Sequence, residues 1–309
     1  MQTYPKHSFQ HQKDIESFIN IKSISWLSAL SKKIMADELE KDFYLLNLMD
    51  NVKMTRDDFP LIHSYVDEAC EVLQLENRPT LFLDTCAEPK TLCIGEKNPL
   101  LIMSTAMIEL LTPEELRAAL AHEVGHLVCG HSFYKLLVEN FSGITQSMSA
   151  IPGLTALGIA AKLPLFDWFR KADLSADRAA LLVVRKPEIV LSMIGKLAGG
   201  STALAESVSE ENLLRQSEEI EAVSDEMKSG GAMDKITYLF STAVMTGMMR
   251  QNPWPAIRIK EIREWISTGT FENILDGKFP EPEPEPRASE GNEKQGTIDK
   301  ISANLKFWK

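Results

Sequence analysis

Positive charge is too scarce in this chain to hold a nucleic acid. Its 33 lysines and arginines stand against 44 aspartates and glutamates, a formal net charge of −11, whereas nucleic-acid binding relies on basic surface that neutralises phosphates. Long apolar runs are missing as well. No stretch of about 18 uninterrupted apolar residues occurs, so no membrane-spanning helix is predicted. The nearest candidate, Gly143 to Phe166, is broken by Gln146, Pro152 and Lys162 and reads instead as a buried or cleft-lining helical hairpin. Met1 to Asp14 is polar and lacks the charged-then-apolar layout of a secretory leader. Cysteine is sparse. Cys70, Cys86, Cys93 and Cys129 show no CxxC spacing and read as reduced, buried small hydrophobes in a cytoplasmic protein.

What is present suits a globular enzyme-sized chain: 44% hydrophobic and 25% charged residues over 309 positions supply a substantial core. Asp14 to about Met54 is mixed and helical in pattern. From Asp57 to Leu75, Phe59, Ile62, Val66, Ala69, Cys70 and Leu73 recur at helical spacing, with His63 beside the stripe as a structural histidine. Three strand-like runs follow, Thr80–Leu83, Thr91–Ile94 and Leu100–Ser104, separated by Glu88-Pro89 and by Gly95 to Pro99. Later helices are predicted over Lys171–Val184, from Glu188 onward, over Ile236–Arg250 and over Ile257–Ile266, with an acidic stretch from Ala205 to Lys228 between them. The fold class is therefore α+β, predominantly helical, with a small sheet packed beside one central helix. The expected division is a helical extension at 1–56, a main domain at 57–279, a Glu/Pro-rich disordered linker at 280–296 and a short amphipathic tail at 297–309. Ile298, Ile301 and Leu305 give that tail one apolar face, for docking on its own domain, on a partner or on a membrane surface.

The central helix announces itself. Thr112 serves as N-cap, Pro113 takes the first helical position and Glu115 completes a capping box; the pattern continues to about Leu137. Inside it lies His122-Glu123-Val124-Gly125-His126. Residues four apart on a helix differ by about 40° in direction and about 6 Å in height, so His122 and His126 can present two imidazoles to one metal ion. Glu123, turned about 100° away, can flank that ion and accept a proton from an activated water. Gly125 leaves room beside the metal. Polar groups on an otherwise apolar helix cost free energy unless something satisfies them. One Zn²⁺ per chain is the expectation.

A catalytic zinc ion usually takes three protein ligands and keeps one position open. The HExxHxxGxxH arrangement is absent. His131, five residues after His126, lies about 500° around the helix from it and so points elsewhere; it reads as a helix-end residue, a support for a ligand or, less simply, a ligand itself. The stronger candidates are Asp173 and Asp177, one turn apart on a later small-residue helix. One can bind the metal while the other accepts the free ring N–H of a ligand histidine.

These residues together resemble the HtpX-like and CAAX prenyl protease-like zinc metallopeptidases. The resemblance covers most of 57–279 and rests on Ser104 to Leu116, on Leu120 to His126 with Gly130-His131, on Leu174 to Ala179, and on Pro253, Arg258 and Trp265. It implies a mostly helical fold whose small sheet holds a peptide substrate along an edge strand. It also implies ligation by two histidines and a Glu. That third ligand falls on Asp173 here, and Asp177 matches the family's supporting Asp. Three departures stand out: Asp173 is one methylene shorter than Glu, Lys90-Thr91 stands where Asn-Ala is common, and Asn252-Pro253 stands where His-Pro is common. The expected function is a zinc-dependent endopeptidase acting on extended or unfolded polypeptide, with Glu123 as general base. Arg258 is either electrostatic support for the reaction or a structural salt-bridge partner. The alternative function is a catalytically weak or inactive zinc protein that holds polypeptides as a chaperone-like module.

Overall fold

The computed structural model describes residues 2–24, 28, 37–139, 154–199, 204, 208–229 and 254–281. The predicted Ile236–Arg250 helix, Asn252-Pro253, most of the linker and the whole tail lie outside them. After a 3₁₀ turn at Lys6–Ser8 come α1 (Gln12–Lys22) and α2 (Asp37–Asp50), then β1 (Val52–Lys53) and α3 (Pro60–Val72). The strands β2 (Thr80–Asp84), β3 (Thr91–Ile94) and β4 (Leu100–Ser104) lead through α4 (Thr105–Leu110) into α5 (Pro113–Cys129). Beyond it are α6 (Ser132–Glu139), α7 (Leu154–Val184), α8 (Pro187–Gly199), α9 (Glu210–Ser229), α10 (Pro255–Ser267) and α11 (Thr270–Leu275). The fold is mostly helical with one small sheet, as the sequence implies.

The sheet runs β1-β2-β4-β3. β4 pairs parallel with β2, Phe82 opposite Ile102, and antiparallel with β3, Leu92 opposite Ile102. β4 lies inside the sheet, and four of its five residues are buried, the near-continuous apolar pattern of a strand covered on both faces. Among the described residues β3 is therefore an edge strand, and it sits beside α5. β1 was not anticipated: it is two residues long and both are exposed, so no apolar alternation marks it.

The main core gathers α3, the sheet, α5, α8, α10 and the C-terminal half of α7, with Leu73, Leu81, Leu101, Met103 and Leu120 at 2% exposure or less. Each such side chain contributes about 1.5–3 kcal/mol of hydrophobic stabilisation. Tyr4 and Phe9 join this same core. A second cluster packs Phe18 and Ile21 of α1 against Phe133, Tyr134, Leu165, Trp168 and Phe169, with Phe18 stacked on Trp168 at 5.2 Å between ring centroids.

The described part of the predicted hairpin belongs to one long helix, α7, which carries Pro164 inside it; 140–153 lie outside the described residues. Among the described residues no helix is long and apolar enough to cross a membrane. The central helix is shorter than predicted. It stops at Cys129, where Gly130 adopts the left-handed conformation at φ 75°, and the backbone N–H of His131 returns to the carbonyl of His126 at 3.0 Å. That is the hydrogen-bonding of a helix ended by a glycine cap. All four cysteines are free thiols; Cys70, Cys93 and Cys129 are buried and Cys86 is half-buried. Burial pushes the Cys70 thiol up to about 12, which removes it from nucleophilic chemistry. His63 is structural, its ring bonded to the Met54 carbonyl at 3.0 Å.

Candidate active site

The start of α5 is fixed by the predicted capping box. Glu115 Oε2 accepts from the Thr112 backbone N–H at 2.8 Å, and Thr112 Oγ1 accepts from that of Glu115 at 3.4 Å. Glu115 also accepts from Ser192 Oγ at 2.6 Å and Lys196 Nζ at 2.7 Å, which ties α8 to the cap. Further along, α5 crosses α7 closely. A Cβ added at Gly125 would meet Ala179 Cβ at 2.7 Å and Ala176 Cα at 3.2 Å. The room that Gly125 leaves is thus taken up by α7, not by space beside a metal, a correction to the sequence reading. It brings the aspartates of α7 up to the histidines of α5.

His122 and His126 face each other with their Nε2 atoms 3.0 Å apart. Asp173 Oδ1 lies 3.3 Å from His126 Nε2 and 4.0 Å from His122 Nε2. These separations bracket the roughly 3.3 Å edge of a tetrahedron whose ligands sit about 2.0 Å from a zinc ion. The donor chemistry points the same way. His122 Nδ1 lies 2.9 Å from Asp177 Oδ1, so this nitrogen carries the ring proton and Nε2 presents a lone pair. Two such nitrogens and a carboxylate oxygen cannot converge in a buried place without a proton or a cation between them. The residues present therefore fit a divalent metal ion.

Arg258, from α10, holds the two aspartates from behind. Its Nε and one terminal nitrogen donate to Asp177 at 2.7 and 2.6 Å, and its other terminal nitrogen lies 3.4 Å from Asp173 Oδ2. Of its two readings, the salt-bridge partner is the one this geometry supports. Burial alone would raise the Asp177 carboxyl, but the charge and hydrogen bonds of Arg258, joined by His122, bring it down to about 2. Asp173 is raised, chiefly by burial, against the pull of Arg258. Burial also holds His126 well below the ordinary imidazole value, which leaves it neutral as ligation requires.

Glu123 is buried beside the pair, and two groups that the sequence reading did not assign to the site hold it. Lys135 Nζ, from α6, donates to both carboxylate oxygens at 3.1 and 3.0 Å, and Thr91 Oγ1, from the edge strand β3, donates at 2.8 Å. Burial pushes the Glu123 carboxyl up, yet the charge of Lys135 and these hydrogen bonds bring it below its usual value. Glu123 has a carboxylate oxygen within 4.8 Å of the histidine donor atoms, but this clamp occupies it. Asp173, which faces both Nε2 atoms, is the better third donor.

His131 does not point elsewhere. Because the helix ends first, its Nδ1 comes to 3.0 Å from His126 Nδ1. The available signal was Gly130, a residue suited to a left-handed helix end.

A buried His-Glu-His helix is thus backed by two aspartates on a second helix. The model of peptidase family M48 matches residues 58–266, and the chain belongs to that family. It is 31% identical over 271 residues to the Plastoglobule-localized metallopeptidase 48, chloroplastic, of Arabidopsis thaliana, covering 86% of this chain and 74% of that one. It is 24% identical over 228 residues to a Protease HtpX homolog of Sulfurihydrogenibium, 67% and 75% of the two chains. To the Protease HtpX homolog 1 of Streptomyces coelicolor it is 22% identical over 172 residues, 47% and 55% of the chains. No solved structure matches it.

Proposed function

We propose that this metallopeptidase-family protein is a zinc-dependent endopeptidase that cleaves extended or unfolded polypeptide. The convergence of His122 Nε2, His126 Nε2 and Asp173 Oδ1 within 4.0 Å of one another carries this reading. These three residues would hold one zinc ion, which when bound supplies a Lewis acid and lowers the pKa of water. Glu123 takes the proton of the attacking water on a carboxylate oxygen and returns it to the leaving amine, a two-way role that requires it to start ionised. Lys135 and Thr91 keep it ionised and aimed.

Substrate binding fits the sheet. β3 is an edge strand whose Thr91 touches Glu123, so a peptide added as a further strand along β3 would pass the base with its backbone hydrogen-bonded. That mode reads backbone before side chains and suits segments that are already unfolded.

The test is cleavage of a casein-type unfolded substrate by the zinc-loaded protein. The proposal expects turnover that a chelator abolishes and that Glu123→Gln lowers by about 10²–10⁴-fold with zinc content unchanged. Glu123→Gln protein that cleaves at the parent rate would contradict it. Binding of unfolded chains with no turnover in the parent protein would favour the chaperone-like module instead.

A further inference from the structure

The supporting shell of the site has one fully buried branch that the metal reading leaves without a role. Asp14 of α1, His131 after α5, and Ser175 and Trp168 of α7 are each 0% exposed. Asp14 Oδ1 accepts from Trp168 Nε1 at 3.0 Å and Oδ2 from Ser175 Oγ at 2.6 Å. Ser175 Oγ in turn accepts the backbone N–H of His11 at 2.8 Å. His131 Nε2 lies 3.2 Å from Asp14 Oδ2, at ion-pair distance although the N–H is not aligned well enough to count as a hydrogen bond. The other ring nitrogen, Nδ1, meets His126 Nδ1 at 3.0 Å. Phe18 and Trp168 hold the His131 ring edge-on, each with centroids 5.3 Å away.

We infer that Asp14 and His131 form a tautomer-setting relay that positions His126 for the metal, so that the N-terminal segment is part of the metal centre. Proton bookkeeping leads there. If His126 gives its Nε2 lone pair to the ion, its single proton is on Nδ1 and is donated to His131. His131 Nδ1 must then be an acceptor, which puts its own proton on Nε2, facing the Asp14 carboxylate. Each ring carries one proton; that of His126 meets the His131 Nδ1 electron pair, and that of His131 lies on the nitrogen at ion-pair distance from Asp14 Oδ2. His122 has the same arrangement with one link fewer, its Nδ1 proton going straight to Asp177, which Arg258 neutralises. Both ligand histidines thus end on a buried carboxylate. Such partners fix ring orientation and raise ligand basicity, and losing one typically costs about 10–100-fold in metal affinity.

Asp14 and His131 are positioning residues, since neither touches the substrate or the ion. His131 also shares with Asp14 and Cys129 a cluster of donor atoms within 4.8 Å of one another, which raises the rival arrangement of a second metal ion in that place. Against it, Asp14 is already engaged by Trp168 and Ser175, and burial pushes the Cys129 thiol far up, away from the thiolate a metal needs.

This inference rests on the zinc reading above, and the experiment separates the two. Zinc stoichiometry is measured by elemental analysis of the full chain. Zinc Kd is measured by chelator competition well below the melting temperature of each metal-free protein, for the parent, Asp14→Asn, His131→Asn and His131→Leu. The relay predicts one zinc per parent chain. It predicts a Kd raised about 10–100-fold in Asp14→Asn and His131→Leu, and a smaller rise in His131→Asn, which keeps an acceptor near the Nδ1 position. If Asp14 and His131 only hold the fold together, the metal-free melting temperature falls while Kd stays at the parent value, which overturns the relay. Two zinc ions per parent chain, reduced to one in Asp14→Asn, overturn it in favour of the second site. A parent chain that takes up no zinc overturns the metal reading itself, and the relay with it.

Discussion

At the scale of the residue, what decides the chemistry is how each buried charge is answered. Asp177 is held near 2 by Arg258 in spite of burial, and Glu123 is held down by Lys135. Lys135→Met should remove the cation from a pair whose side chains are 5% and 3% exposed, leaving Thr91 as the side-chain hydrogen-bond partner of Glu123 among the described residues. Breaking such a pair typically costs about 3–5 kcal/mol of stability, and a loosened base costs about 10²-fold in turnover. Denaturant unfolding and casein cleavage of the zinc-loaded variant check both, and parent-like turnover would count against the positioning role. That His122 stands with His126, and Asp173 with Asp177, was legible in the sequence because residues four apart share a helix face, and Glu123 was legible as the neighbour of His122. Lys135 was not, because it comes from a second helix that starts only after Gly130 turns the chain. Asp14 was not because nothing local joins it to residues more than a hundred positions away.

At the scale of the element, the close crossing of α5 and α7 is what, on the proposed ligation, would let a short aspartate serve where the resemblance implies a Glu. Gly125 lies against Ala176 and Ala179 with no space for a Cβ. Gly125→Ala should force the helices apart, destabilising by about 1–3 kcal/mol as an overpacked core and weakening zinc binding by drawing Asp173 back. Parent-like melting together with parent-like zinc affinity would show that the contact gives way freely. The start of α5 is more forgiving. Thr112→Ala should cost about 1 kcal/mol in denaturant unfolding without changing turnover, since the cap lies at the far end of the helix from His126. The three longer strands and the N-terminus of α5 followed from apolar pattern, turn residues and capping chemistry. The C-terminus of α5 was misplaced because apolar periodicity runs on through Leu136 while the helix does not.

At the scale of the whole molecule, the N-terminal segment is fastened to the rest by charge as well as by packing. His11 Nδ1 accepts the Lys13 backbone N–H at 3.1 Å, so its Nε2 proton is free to donate to Glu261 of α10 at 2.9 Å, and Lys13 Nζ also pairs with Glu261. Burial would raise the Glu261 carboxyl, but these partners bring it down to about 2 from an ordinary 4.5. A carboxyl lowered in the folded state contributes stability that is complete above about 4.5 and is lost as pH falls toward 2. In metal-free protein, the melting temperature of Glu261→Gln should therefore decline less steeply across that interval than that of the parent, and parallel curves would contradict the assignment. The proposed metal centre needs three side chains from two helices to meet at one ion. X-ray absorption at the zinc edge of the loaded protein, parent against Asp173→Ala, addresses this most directly. The prediction is one zinc with two imidazole nitrogens and a carboxylate oxygen in the parent, and loss of that oxygen with much weaker binding in the variant. An unchanged spectrum and unchanged affinity in Asp173→Ala would contradict it.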